Sequence, residues 1–428
     1  MKSNLIINDD QSNEIENALL ISVLALFPLL YLTLKGWTNT LTFILLGLAL
    51  LHLFRLPRSA WKIKNISGTE WAVIAALVSG FLAVLISQLL RHEFVFKPYD
   101  GPLRMLLSAP IFLFLLKKKI DFVQVFQYIC PLSLLILLVF VHLNPSQIQL
   151  TGGRYSTYFV APNAFGTSTM LLTFLCLFSI DAINKDGPAL RLLKYAGVLA
   201  GIYLEMKSQT RGAWIAEPVM LGLWAAIHWQ AKSKQELLIS ILISVLVAIG
   251  CYFFIDFFHA RVNSIYYEMS SWLSKSNIDT SMGLRLSMWE ISWALFKQRP
   301  FCGYGDLGYQ AQLLTPQIQA TFSQDAIFQM MHFGPHNEYL ANMVRSGVFG
   351  LIAVLLQFFA PAVIFIRGLK SETQRIKSAS AMGLCLVMCV MISGLSIEVL
   401  TLKYTNSFYG LMIAALCASV LWKRPVEN

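Results

Sequence analysis

The stretch GLRLSMWEISWALFKQRPFCGYGDLGY (residues 283–309) and, downstream, GPHNEYLANMVRSGVFG (residues 334–350) belong to a polar insert, bearing arginines and histidines, between long apolar runs. The second piece continues without a break into LIAVLLQFFAPAVIFI (351–366). Residues 339–366 therefore read as one apolar helix, longer than the ~20 residues needed to cross a hydrocarbon core of about 30 Å. A loop that only linked two spans could be any hydrophilic filler. This one sets Arg285, Trp289, Arg299, Pro300, Gly303, Gly305 and the pair His336–Asn337 at the mouth of a span, and the chemistry is expected there.

Outward from the insert, apolar windows recur at 18–34, 40–54, 71–90, 103–116, 123–141, 163–183, 193–206, 213–229, 237–257, 379–397 and 407–422. With 339–366 they predict an all-α polytopic membrane protein of about twelve transmembrane helices. Residues 1–257 form an N-terminal bundle of about nine helices, 258–338 a larger external helical insert, and 339–428 about three C-terminal helices. A length of 428 residues would by itself suggest two or three soluble domains, but 56% hydrophobic and 13% charged residues, with mean hydropathy +0.61, overrule that reading.

The net charge of +10 does not signal nucleic acid, because the cations sit in short clusters between apolar runs. With the N-terminus inside, one face collects Arg55, Arg58, Lys62 and Lys64, then Lys117 to Lys119, then Lys185, Arg191 and Lys194, then Lys232 and Lys234, then Arg367, Lys370, Arg375 and Lys377. Both termini are therefore expected in the cytoplasm and the insert on the opposite face. The first residues lack the charged start and small-residue cleavage site of a removable signal peptide, so the first span is expected to direct insertion. Six of the seven cysteines lie in or beside apolar spans, which argues against an external disulfide or a zinc site. No internal repeat or low-complexity tract divides the chain.

Four cations break the charge pattern. Arg104, Arg154, Arg211 and Arg285 fall on the external side at or near helix ends, where an arginine at depth costs about 2.5 to 3.5 kcal/mol on insertion scales. Each alone could extend to the headgroups, but four on one face suit the bidentate geometry of phosphate oxygens, and a membrane-borne pyrophosphate is the natural ligand. Arg211 lies in KSQTRGAW, just before a helix expected from about Ala213, whose N-terminus adds positive potential. Arg154 lies in TGGRYSTYFVAPNAFG, with Pro162-Asn163 opening the next span.

Among seven histidines, His336 is the candidate catalyst, with His332 its neighbour and competitor. It follows the Gly334-Pro335 turn and precedes Asn337, whose amide could orient the imidazole or bind a sugar hydroxyl. A neutral imidazole can take a proton from an attacking hydroxyl. The chain contains no HExxH, GxSxG or GxxxxGK[ST] motif and no paired acidic motif for a divalent metal. Asp279, Asp306 and Glu338 are scattered through the insert. Glu217, Asp256 and Glu398 lie near apolar spans, where functional and ion-paired structural roles are both open.

Four features occur in order along the chain: an Arg-Gly turn before a span (Arg211), an arginine heading an external helix with a tryptophan four residues on (Arg285, Trp289), a Pro-x-x-Gly-x-Gly turn (Pro300, Gly303, Gly305), and HNxxL followed by Gly-x-x-Gly (His336, Asn337, Leu340, Gly347, Gly350). Together they resemble the bacterial O-antigen ligase and polymerase superfamily. The resemblance covers the whole hydropathy layout, with its specific motifs between about Arg154 and Gly350.

That resemblance implies a GT-C-like glycosyltransferase of the bacterial inner membrane, with its active site facing the periplasm. It would take a glycan from undecaprenyl pyrophosphate, join it to a sugar hydroxyl of lipid A core, and need neither metal nor other cofactor. By the same analogy His336 is the general base, Arg285 and Arg211 hold the diphosphate, and Arg104, Arg154, Asn163, Asn337, Trp289 and Tyr304 bind substrate. One base and no evident nucleophilic carboxylate fit direct displacement with inversion.

Within the superfamily a polymerase or a protein O-oligosaccharyltransferase remains an alternative. The modest insert and the lack of a large soluble C-terminal domain speak against the latter. From another class, a lipid-linked glycan transporter would also use buried cations, although the chain shows no inverted repeat. A structural subunit is a third reading, since Tyr266, Tyr267, Trp272, Trp289 and Trp293 suit an interfacial helix, with 265–273 against the lipid surface. The glycan, the accepting sugar and the oligomeric state are left open.

Overall fold

The structure is a computed structural model that describes residues 9–55, 66–210, 212, 214, 216–228, scattered positions from 235 to 253, and 256–422. In chain order its helices are Asp9–Leu29 (α1), Trp37–Arg55 (α2), Gly68–Leu90 (α3), Asp100–Lys118 (α4), Phe122–Leu143 (α5), Pro145–Leu150 (α6), Pro162–Phe178 (α7), Pro188–Ser208 (α8) and Glu217–His228 (α9). The insert follows as Asp256–Leu273 (α10), Ser281–Gln298 (α11), Gly305–Leu313 (α12), Pro316–Thr321 (α13) and Gln324–Phe333 (α14). Glu338–Gly368 (α15), Gln374–Ser393 (α16) and Lys403–Leu421 (α17) complete the chain.

Among the described residues seven helices, α2 to α5 and α15 to α17, are long and apolar enough to cross a membrane, and the protein is an all-α polytopic membrane protein. Four further expected spans coincide with α1, α7, α8 and α9, which are shorter, less apolar or more charged. The span expected at 237–257 lies largely outside the described residues.

Local chemistry sets the boundaries. Ser67 and Glu70 form a reciprocal capping box at the start of α3, and Asp121 caps α5. Pro162 and Pro188 open α7 and α8, where a missing N–H costs nothing. The span expected at 379–397 ends earlier, at Ser393. Residues 394–402 leave the helix because their side chains and backbone are bound elsewhere: Glu398 pairs with Arg345, the Leu395 carbonyl accepts from Asn337, and the Leu400 N–H donates to Glu338.

The loops sort into two ends. At one end Lys35 N donates to Tyr158 Oη, Arg91 donates to the carbonyls of Cys302 and Arg345, Tyr155 N donates to the Lys207 carbonyl, and Lys403 pairs with Asp100. At the other, Glu16 receives Lys118, His52 and Arg55, and Arg191 meets Asp181. The partition matches the alternation inferred from the cations.

The centre of the bundle is α17, in which every residue from Thr405 to Val420 is buried, packed against α2, α3, α4, α5, α15 and α16. A helix apolar all round belongs inside. A second, smaller core of Met288, Ile291, Leu295, Tyr304, Tyr309, Leu313, Ile327 and Met330 holds the insert together and reaches Val344 of α15.

Lys194 on α8 is fully buried and donates to both oxygens of Asp186 at 2.8 Å, to Gln127 Oε1 at 3.1 Å and to the Ser179 carbonyl at 2.6 Å. Removing one partner of such a pair leaves an uncompensated charge, so Lys194→Met is expected to destabilise by about 3 to 5 kcal/mol. Thermal denaturation in detergent checks this, with Lys194→Met/Asp186→Asn expected to recover much of the loss. A single variant that melts with the wild type would show that the pair contributes nothing.

Candidate active site

Thr280 caps α11 through its hydroxyl, and the helix carries Arg285 and, one turn on, Trp289. The indole Nε1 of Trp289 is shielded from solvent and has no acceptor among the described residues. Ser323 caps α14, which ends at Gly334 with φ +76°. Two residues later His336 also takes left-handed backbone, φ +50°, which costs a residue other than glycine about 1 to 3 kcal/mol and is tolerated where the surroundings enforce it.

Asn337 supplies part of that enforcement. Its Oδ1 accepts from the N–H groups of Tyr339 and Leu340 at 3.0 Å, capping α15, and its Nδ2 donates to the Leu395 carbonyl at 3.1 Å. These bonds commit the amide to the backbone, so Asn337 orients His336 through the turn. Glu338 is buried beside it, accepting from Asn342 Nδ2 at 2.9 Å and Leu400 N at 2.8 Å.

The His336 imidazole is partly buried and lies 6.4 Å from the Phe333 ring, the two planes near parallel. Burial, and after it the positive field of Arg285, push its pKa down to about 4. At neutral pH the ring is uncharged and can accept a proton. His332 instead sits exposed on α14, its Nδ1 against the Phe328 carbonyl at 2.9 Å. Two residues expected in one catalytic set, His336 and Arg285, are thus within electrostatic reach of each other.

The Pro-x-x-Gly-x-Gly turn has a mechanical role. α15 is broken at Gly347 (φ +63°, ψ −148°), and the turn docks into the break: Val348 N donates to the Pro300 carbonyl at 2.7 Å and Tyr304 N to the Val344 carbonyl at 2.8 Å. Tyr304, expected to bind substrate, is buried in the insert's core with its hydroxyl given to Gln298 at 2.7 Å and the Arg299 guanidinium over its ring at 4.8 Å. That environment makes it a brace for the turn.

Arg154 and Asn163 do come together. Arg154 Nη2 donates to Asn163 Oδ1 at 2.7 Å and its Nε to the Ser208 carbonyl at 2.9 Å. The Thr210 hydroxyl donates to the Pro162 carbonyl at 2.9 Å, tying the same loop to the end of α8. Arg211 itself lies outside the described residues. Its neighbour Gly212 abuts Ser396, so Gly212 borders the 394–402 loop that also holds Asn337. Arg104 stands on α4, 3.7 Å from Asp100, which is in turn 2.5 Å from Lys403 just beyond that loop. The 394–402 loop is therefore the common border of Gly212, the histidine turn and the Arg104 cluster.

Glu398 and Arg345 complete the arrangement. Glu398 was open to a functional or a structural reading and is ion-paired, its Oε2 2.7 Å from Arg345 Nη1. Arg345 went unread, although a cation inside the expected span 339–366 is the signal that finds such a residue. Among the described residues no group of three His, Cys, Asp or Glu side chains could hold a metal ion.

Comparison with known proteins accords with this geometry. Residues 196–355 match the family described as O-antigen ligase, a segment that contains Arg211, Arg285, Trp289, the docked turn and His336. A Haemophilus influenzae protein described as uncharacterized is 24% identical over 413 residues, 94% of this chain and 98% of its own. A protein of Escherichia coli K12 described as O-antigen ligase is 26% identical over 199 residues, 45% of each chain. The order of motifs, the helical architecture and the match over residues 196–355 agree in their similarity to the O-antigen ligase superfamily.

Proposed function

We propose that the protein transfers a glycan from undecaprenyl pyrophosphate to a sugar hydroxyl of lipid A core at the periplasmic face of the bacterial inner membrane, with both termini in the cytoplasm. The observation that carries this reading is an uncharged imidazole, His336, locked in a strained turn within the field of Arg285. His336 takes the proton of the acceptor hydroxyl as that oxygen attacks the anomeric carbon. The bond to the pyrophosphate oxygen breaks, and Arg285 and Arg211 neutralise the charge that develops on the leaving diphosphate. One base and no evident nucleophilic carboxylate fit direct displacement with inversion, without a metal. Trp289 Nε1, one turn from Arg285 and without an acceptor among the described residues, is a donor for a substrate oxygen. Arg154, with Asn163, and Arg104 lie at the same end for further phosphate or sugar contacts.

Purified protein supplied with undecaprenyl-pyrophosphate glycan and lipid A core tests the reading, beside a parallel reaction lacking lipid A core. Capped product that appears only with lipid A core supports a ligase. Chain extension without it would make the protein a polymerase. The absence of transfer in both would overturn the enzyme reading in favour of transport.

A further inference from the structure

Arg345 lies on the second turn of α15, before the break at Gly347, and its guanidinium joins three elements. Nε is 2.6 Å from Asp306 Oδ1 on α12, Nη1 is 2.7 Å from Glu398 Oε2 in the 394–402 loop, and the group lies 5.7 Å from the centre of the Tyr309 ring. Thr401 Oγ1 donates to the same Glu398 oxygen at 3.2 Å. The Arg345 carbonyl accepts from Arg91 Nη1 at 3.0 Å, so the end of α3 is tied to the same point.

The position of this pair relative to the histidine turn decides its meaning. A Cβ on Gly334 would overlap Glu398 Oε1 and come within 3.1 Å of Arg345 Nη2. The turn that presents His336 therefore rests directly on the ion pair, and Gly334 has no side chain because there is no room for one. Glu398 is buried, and its Oε1 has no hydrogen-bond partner, so nothing but Arg345 and Thr401 restrains that carboxylate among the described residues. If Glu398 moved, the floor beneath Gly334-Pro335-His336 would move with it.

We propose that Arg345 is a positioning residue of the transfer reaction: by joining Asp306 to Glu398 beneath Gly334, it fixes the His336 imidazole relative to Arg285. The inference rests on the assignment of His336 as the base. Arg345 acts through the turn and touches no reacting group. Its planar fork spans two carboxylates that face it from different elements, which a lysine ammonium, a single point charge, cannot do in the same geometry. A displacement of about 1 Å at a reacting group can cost ~10²-fold in rate.

The test compares wild type, Arg345→Lys, and the double variant Arg345→Met/Glu398→Gln, which removes the buried Arg345–Glu398 charge pair and leaves only the partly exposed Asp306 without its partner. Two readouts are taken on each: kcat and KM for glycan transfer, and the rate of diethyl pyrocarbonate modification of His336 by peptide mass spectrometry, with exposed His332 as internal reference. Positioning predicts that Arg345→Lys lowers kcat roughly 10- to 100-fold with little change in KM. It also predicts faster modification of His336 at unchanged His332 in both variants, even where the double variant melts like wild type. Wild-type kcat and wild-type His336 reactivity in both folded variants would overturn the proposal. A wild-type protein with no transfer activity would sink the ligase reading, while loss of His336 protection in the variants would still support the placement of the ring by Arg345.

Discussion

His336→Ala is expected to lower kcat for glycan transfer by about 10²- to 10⁴-fold, the usual contribution of a general base. KM for the lipid-linked donor should change little, because the proposed mechanism assigns the diphosphate to arginines and not to His336. The pH dependence gives a sharper signature. In the free protein the imidazole is pushed down to about 4 by burial and by Arg285, against an ordinary value of 6.5. Since kcat/KM reports the free enzyme, it should stay level from neutral pH and fall with unit slope only as pH approaches about 4. The profile of kcat reports the complex, in which, by the proposed mechanism, the donor diphosphate neutralises Arg285. The imidazole regains basicity there, and the acid limb of kcat should lie at higher pH than that of kcat/KM.

The stability sign follows from the same shift. Between the ordinary value of 6.5 and about 4 the unfolded chain binds a proton at this histidine that the folded chain does not, so falling pH in that window weakens the fold. His336→Ala should remove that component from a pH series of melting temperatures. A kcat/KM limb at the ordinary histidine value would show that neither burial nor Arg285 acts on the ring.

Gly347→Ala is expected to lower the melting temperature and abolish most transfer. At φ +63°, ψ −148° the backbone occupies a region essentially reserved for glycine, and forcing another residue there costs about 1 to 3 kcal/mol before any clash. An added Cβ would also fall against the carbonyls of Phe301 and Pro300, closer than real Cβ atoms come, and these are backbone atoms that cannot rotate away. Relief requires the 300–305 turn to undock, breaking the Val348-to-Pro300 and Tyr304-to-Val344 hydrogen bonds and loosening the insert that carries Arg285. Gly187→Ala is the control: its φ is −66°, an added Cβ there meets nothing within 4 Å, and both activity and melting temperature should be retained. Equal behaviour of the two variants would show that the break in α15 bears no load.

The resemblance named the turn Pro300-x-x-Gly303-x-Gly305 and the pair Gly347, Gly350 as separate motifs, and only the folded chain shows that they are two halves of one joint. Asn337 illustrates the same gap. Next to a candidate base, an asparagine reads equally as a sugar ligand or as a helix cap, because the chemistry of the side chain suits both. The cap emerges once Tyr339, Leu340 and Leu395 are in place around it. Tyr304, which the resemblance implies binds substrate, is instead buried among Met288 and Leu295 of α11 and Val344 of α15, contacts that its own local sequence does not show.

The sequence by itself determined the class of the protein and the places of its long apolar helices, grouped its loop cations, and singled out the turn around His336 as a candidate. Those properties follow from composition, run length, cation placement and local turn chemistry, each read within a short window. Tertiary structure alone decided which helix is central, where α16 stops, and that Glu398 and Arg345 form the floor of the histidine turn. These depend on contacts between residues far apart in sequence: an ion pair spanning 338–368 and 394–402 leaves no periodic trace in either segment, and α17, with a mean hydropathy of 1.3 against 2.4 for the more exposed α3, is not marked as central until its neighbours close around it.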